Sequence, residues 1–214
     1  MVGENITLGD IVYWFFRLNG CFTIRNFVIH PERRGSQRTE VDLLAVRFPY
    51  REEIGMQDHE IFVKEKTQLF IVEVKSTDKF GDFNEATIRN LDEIIKRVGF
   101  VKRNEIREVV DTLRTRAFWE DGNKVKRIDL MYVIKKYPHD LVKVKDFLSY
   151  KNFLVVESDI LPFIFRRFTE YYRQKRDHEQ WDIVGKFLFE LAIRNAEGDF
   201  CKMAIEKLNR SIKV

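Results

Sequence analysis

Gln68-Leu69-Phe70-Ile71-Val72-Glu73-Val74-Lys75-Ser76 is the stretch that decides how the rest of the chain is read. From Leu69 to Val72 it is continuously apolar and rich in β-branched and aromatic side chains, the pattern of a strand covered on both faces. Ser76-Thr77-Asp78, a cluster of turn and cap formers, follows it. Side chains alternate along a strand with period two, so Glu73 and Lys75 share one face and Val72 and Val74 the other. A charge in the middle of a sheet is costly unless it is paired or binds a metal.

A second apolar run, Thr39 to Phe48, precedes it and ends at Pro49. The same alternation puts Glu40 and Asp42 on one face and Val41 and Leu43 on the opposite one. Two strands of the core therefore carry carboxylates. A divalent cation held between Asp42 and Glu73 would compensate them. Magnesium suits such a site, because it takes oxygen ligands, keeps several waters and uses one or two carboxylates with substrate phosphate oxygens. A metal-activated water and a nearby lysine, Lys75, are what phosphodiester hydrolysis requires.

The surrounding elements fit an α/β domain. Thr7-Leu8-Gly9-Asp10 opens a helix with a capping box, and Asn19-Gly20 closes it. A strand is expected over 21–29, the two strands above over 39–48 and 68–76, and further strands over 127–135 and 152–157. Helices are expected over 84–98, stopped by Gly99, and over 104–119, ending near Gly122. A short helix is expected over 141–150. Residues 50–67 read as an inserted loop or short hairpin with an apolar patch, Ile61-Phe62-Val63. From Asp159 onward the pattern is helical, with helices over 159–175, 179–195 and 199–210. Residues 1–158 thus form the expected core and 159–214 a helical C-terminal extension packed on it.

Composition sets the bounds. The 214 residues suffice for one domain with an extension. Charged residues reach 34%, yet the net charge is only +4, which permits a nucleic-acid partner without demanding one. Cys21 and Cys201 stand far apart and form no metal-ligand spacing, so a structural zinc is not expected and a cytoplasmic, reducing compartment is. The apolar run Ile11 to Phe16 is too short to span a bilayer, so no membrane partner is expected. No phosphate-binding glycine loop and no nucleophile elbow occurs.

Glu73-Val74-Lys75 at the end of an apolar strand, Asp42 on the strand before it, and the order α-β-β-β-α-β together resemble the PD-(D/E)XK nuclease superfamily. The segment Gly35-Ser36-Gln37-Arg38-Thr39-Glu40-Val41-Asp42-Leu43-Leu44-Ala45 resembles its resolvase-like branch most. The resemblance covers about the first 60% of the chain. It implies a restriction-endonuclease-like mixed central sheet flanked by helices. It also implies a Mg2+-dependent endonuclease, with Mn2+ as substitute, acting on nucleic acid and most readily on DNA. Asp42 and Glu73 would be metal ligands, the backbone carbonyl of Val74 a third, and Lys75 the catalytic lysine. Val41 stands where the family has a proline, and the insert at 50–67 lengthens the separation of Asp42 from Glu73. The extra acidic ligand that some members carry on the first helix has no clean match. Asp10 is explained by capping, and Glu4 precedes the helix.

Several alternatives stay open. Glu40 would be a further metal ligand or a partner of Arg38. Arg33, Arg34, Ser36, Gln37 and Arg38 would contact phosphates or form a solvated turn. Asn84, Arg89 and Lys96 are candidates for a polar residue that the following helix lends to the site. The basic and aromatic stretch around Arg166, Arg167, Phe168, Tyr171, Tyr172 and Arg173 would grip nucleic acid or be core. A homodimer would suit cutting of both strands. The same sequence also fits a catalytically inactive module on this fold that binds nucleic acid or assembles with protein. It fits as well an unrelated α/β protein in which these charges form a structural network, or an edge strand on which Glu73 and Lys75 are a solvated pair. Adjacency of the Asp42 and Glu73 strands separates these readings.

Overall fold

The computed structural model describes residues 6–30, 39–51, 53, 55–75, 85–137, 152–174 and 181–211. Its elements are α1 (Leu8–Leu18), β1 (Phe22–Ile29), β2 (Thr39–Arg47), β3 (Thr67–Lys75), α2 (Glu85–Arg89), α3 (Leu91–Val98), α4 (Ile106–Arg116), β4 (Phe118–Glu120), β5 (Lys126–Ile134) and β6 (Asn152–Val155). A π-helical turn (Val156–Ile160) follows, then α5 (Leu161–Thr169), α6 (Ile183–Arg194) and α7 (Glu197–Ser211). The class is α/β, with a mixed six-stranded sheet among the described residues.

β1, β2 and β3 form an antiparallel meander, and β3 pairs in parallel with β5. The other edge of β5 is shared. β4 lies antiparallel along its first half and β6 parallel along its second. The strands around Asp42 and Glu73 are therefore neighbours.

Each sheet face has its own core. On one face Leu43, Ala45, Phe70, Val72, Met131 and Val133 pack with α1 and with α5, α6 and α7. On the other, Leu44, Leu69, Ile71, Ile128, Leu130 and Tyr132 pack with α3 and α4. Trp14, Phe15 and Phe16 of α1 are fully buried, and such a side chain contributes roughly 1.5–3 kcal/mol over its exposed state. Thr7 caps α1 with the expected capping box. The described residues of the 50–67 insert run in turns and irregular chain up to Thr67, where β3 begins, and send Phe62 into the first core.

Four expectations are corrected. The helix over 84–98 is divided into α2 and α3 at Asn90, whose side-chain amide joins its own backbone N–H in donating to the Ala86 carbonyl, at 2.7 Å. The helix over 104–119 stops at Arg116. Ala117 takes a left-handed conformation (φ 59°), and Phe118 to Glu120 pair with β5, which buries Trp119. The strand over 152–157 ends at Val155, where the Asp159 carboxylate accepts the Val155 N–H at 2.7 Å and the π-helical turn begins. The alternation in β2 slips, because Val41 joins the second core with Leu44 whereas Leu43 joins the first. Pairing of β1 with β2 skips the step Asn26–Asp42, and Asn26 has φ 50°. The short helix over 141–150 lies outside the described residues.

Candidate active site

The register of β2 on β3 pairs Leu43 with Val72, so Asp42 stands one step further on, beside Glu73. Leu43–Val72 is the last pair of that register, and because the alternation slips at Asp42, its side chain is placed by the bond it makes and not by the pleat. Asp42 is half-buried, and its Oδ2 accepts the Val74 N–H at 2.7 Å. The irregular step at Asn26 frees this part of β2 from continuous pairing with β1, and the carboxylate reaches the β3 backbone. Glu73 is only 6% exposed, and its Oε1 pairs with Lys75 Nζ. Val72 and Val74 pack on the opposite face, as alternation requires.

Burial pushes the Asp42 carboxyl above its ordinary range. The Val74 N–H and Lys75 pull it back, and the exposed Glu40 raises it further. The site therefore holds a carboxylate that its surroundings only partly compensate. Oxygen donors from Asp42 and Glu73 fit a hard divalent cation. Among the described residues no group of three His, Cys, Asp or Glu side chains is placed to hold a metal. Two carboxylates would thus share the ion with backbone, water and substrate oxygens.

The parallel register of β3 on β5 places Tyr132 beside Glu73 and Ile134 beside Lys75. Lys135 and Lys136 follow at the same end of the sheet, Lys135 buried and Lys136 within 3.8 Å of Glu157. The sequence reading did not single out Tyr132, Lys135 or Lys136. The signal was present, since a charged pair closing an apolar run is the pattern that marked Lys75. Open α/β sheets bind ligands at the carboxyl ends of their parallel strands.

Other candidates fall outside this group. Asp10 is engaged by Thr7 and by Arg25, so capping accounts for it. Arg89 pairs with Glu85, and Lys96 lies 3.7 Å from Glu93. Phe163 and Phe168 are core, as is Arg167, while Tyr172 stays half exposed against Phe189. Arg33, Arg34, Ser36, Gln37, Arg38, Glu4 and Asn84 lie outside the described residues.

A second polar group lies on the opposite face of the sheet, towards its other end. Asp129, 2% exposed, accepts from Gln68, Arg127 and Asn152, and Gln68 also holds the insert through the Ile61 carbonyl and the Val63 N–H. Burial pushes the thiols of Cys21 and Cys201 up to about 12 and about 11, which keeps both protonated and unreactive near neutrality. Comparison with protein-family models, with curated proteins and with solved structures finds no match to this chain.

Proposed function

We propose that the chain is a metal-dependent nuclease that hydrolyses phosphodiester bonds in DNA. The observation that carries this is the placement of Asp42 beside Glu73 on adjacent antiparallel strands, with Lys75 on the same face as Glu73. Asp42 and Glu73 would hold the divalent cation. When bound, that cation would polarise the phosphate and lower the pKa of a water. Val74 N–H fixes the orientation of the Asp42 carboxylate through the 2.7 Å bond. The Lys75 ammonium, with a third of its side chain exposed, is placed to neutralise charge that builds on the phosphate.

The test is cleavage of supercoiled plasmid and of branched duplex DNA with magnesium, comparing wild type with Asp42→Ala, Glu73→Ala and Lys75→Ala. Each variant is expected to lose on the order of 100-fold or more in rate. Equal activity in all four proteins sinks the proposal.

One observation favours a second reading, a nucleic-acid-binding or assembly module on the same fold without cleavage. Glu73 already has Lys75 as its counter-charge, and Asp42 has the Val74 N–H. DNA binding that persists in EDTA, with no turnover of any substrate, selects this second reading.

A further inference from the structure

We infer that the chain carries a second ligand site, apart from Asp42 and Glu73, in which the buried guanidinium of Arg167 receives the oxyanion group of a small ligand, a carboxylate or a phosphate. A cavity of about 480 Å³ opens between the insert and α5, lined by Gln57, Asp58 and His59 on one side and by Phe163, Arg167 and Tyr171 on the other. It lies towards the end of the sheet where Arg47 pairs with Gln68. Glu73 is five residues along β3 from Gln68, roughly 17 Å at the rise of a strand.

Arg167 is 1% exposed. Its Nη2 donates to the Gln57 carbonyl at 2.7 Å, but the nearest carboxylate oxygen, Asp58 Oδ1, is 3.5 Å away. Its Nη1 has no hydrogen-bond partner among the described residues. Asp58 is bonded more closely by Arg47, which is itself fully buried and also has an unpartnered Nη1. Asp58 thus serves the guanidiniums of Arg47, Arg51 and Arg167, with Glu53 on Arg51 as a second carboxylate, three positive charges against two. An interior surplus of positive charge is costly. The ring faces of Phe163 and Tyr171, at 5.0 and 5.8 Å from the guanidinium carbon, offset only part of it. Burial accordingly pushes Arg167 below the ordinary arginine range.

A planar or tetrahedral oxyanion matches the guanidinium fork and supplies the missing acceptor. The size suits a small molecule. Glu60, Glu170 and Arg166 also line the cavity and are exposed, which leaves its outer side net negative and disfavours a polyanion such as nucleic acid.

The experiment is isothermal titration of the full chain with inorganic phosphate and, separately, with acetate, against chloride at matched ionic strength. Thermal melts are run in parallel. Saturable binding of at least one anion is expected, with a rise in Tm. Whichever anion binds identifies the ligand class. Arg167→Met should abolish binding, and Arg167→Lys, which keeps the charge but loses the fork, should weaken it at least about tenfold. Absence of saturable binding to the wild type overturns the inference even if neither variant folds. Undiminished affinity in either folded variant overturns it too.

Discussion

Asp42 is the residue on which stability and the proposed chemistry pull in opposite directions. Its carboxyl is raised by desolvation, so the folded protein binds that proton more tightly than the unfolded chain does. Its ionisation therefore costs stability at neutral pH, and the cost shrinks as pH falls below the raised value and is gone below the ordinary aspartate range. Protons should also compete with metal in that window, above the ordinary aspartate range. Asp42→Asn can keep the bond from the Val74 N–H while removing the charge. In EDTA its Tm should rise, whereas magnesium, which should raise the wild-type Tm, should leave the variant unchanged. A variant that melts below wild type in EDTA would show that Asp42 is compensated by some other means. Glu73 differs, because Lys75 is its partner in the absence of any ion.

At the scale of elements, the seat of α6 on α1 is set by one glycine. Gly185 lies against the Trp14 ring, and a Cβ there would overlap Trp14 Cζ2. Asp182 fixes the same contact, since its Oδ1 accepts both the Trp14 Nε1–H and the Gly185 N–H at 2.8 Å. Gly185→Ala gains helix propensity of about 1 kcal/mol but overpacks a fully buried tryptophan at about 1–3 kcal/mol. A lower urea midpoint and a shifted Trp emission are expected, and an unchanged midpoint would mean that α6 shifts freely. β2 and β3 were legible in the sequence because each is an apolar run with clear ends, and β1 because Asn19-Gly20 and His30-Pro31 bound it. β4 was not, since three residues carry no measurable period and its pairing with β5 is a tertiary event. The π-helical turn was hidden for a related reason, because a single side-chain hydrogen bond decides it. The proximity of Asp42 and Glu73 followed from the adjacency of their strands. The slip between Val41 and Leu43 did not, because it arises where Asn26, on a different strand, takes a positive φ.

For the molecule as a whole, the three C-terminal helices share one core with α1 and the sheet. Ile164, Phe168, Leu188 and Phe200 are fully buried there. Arg167 ties α5 to the insert through the Gln57 carbonyl. A chain ending at residue 158 would leave the outer face of α1, including Trp14, in water. It should lose cooperative unfolding and bind ANS. A truncated chain that still melts sharply, with the wild-type near-UV spectrum, would show that the first 158 residues stabilise themselves.

The distance in sequence between β3 and β5 has a consequence during synthesis. β1, β2 and β3 can zip together locally, but the free edge of β3 must wait for β5 to leave the ribosome, on the order of 3–12 s later at 5–20 residues per second. In that interval an apolar strand edge is bare, the configuration that seeds sheet-to-sheet aggregation. Glu73 and Lys75 interrupt what would otherwise be an unbroken run of Val, Ile, Leu and Phe. The two charges of the proposed site thus also act as gatekeepers of the nascent chain, and replacing both with alanine should cost soluble yield before any question of activity arises.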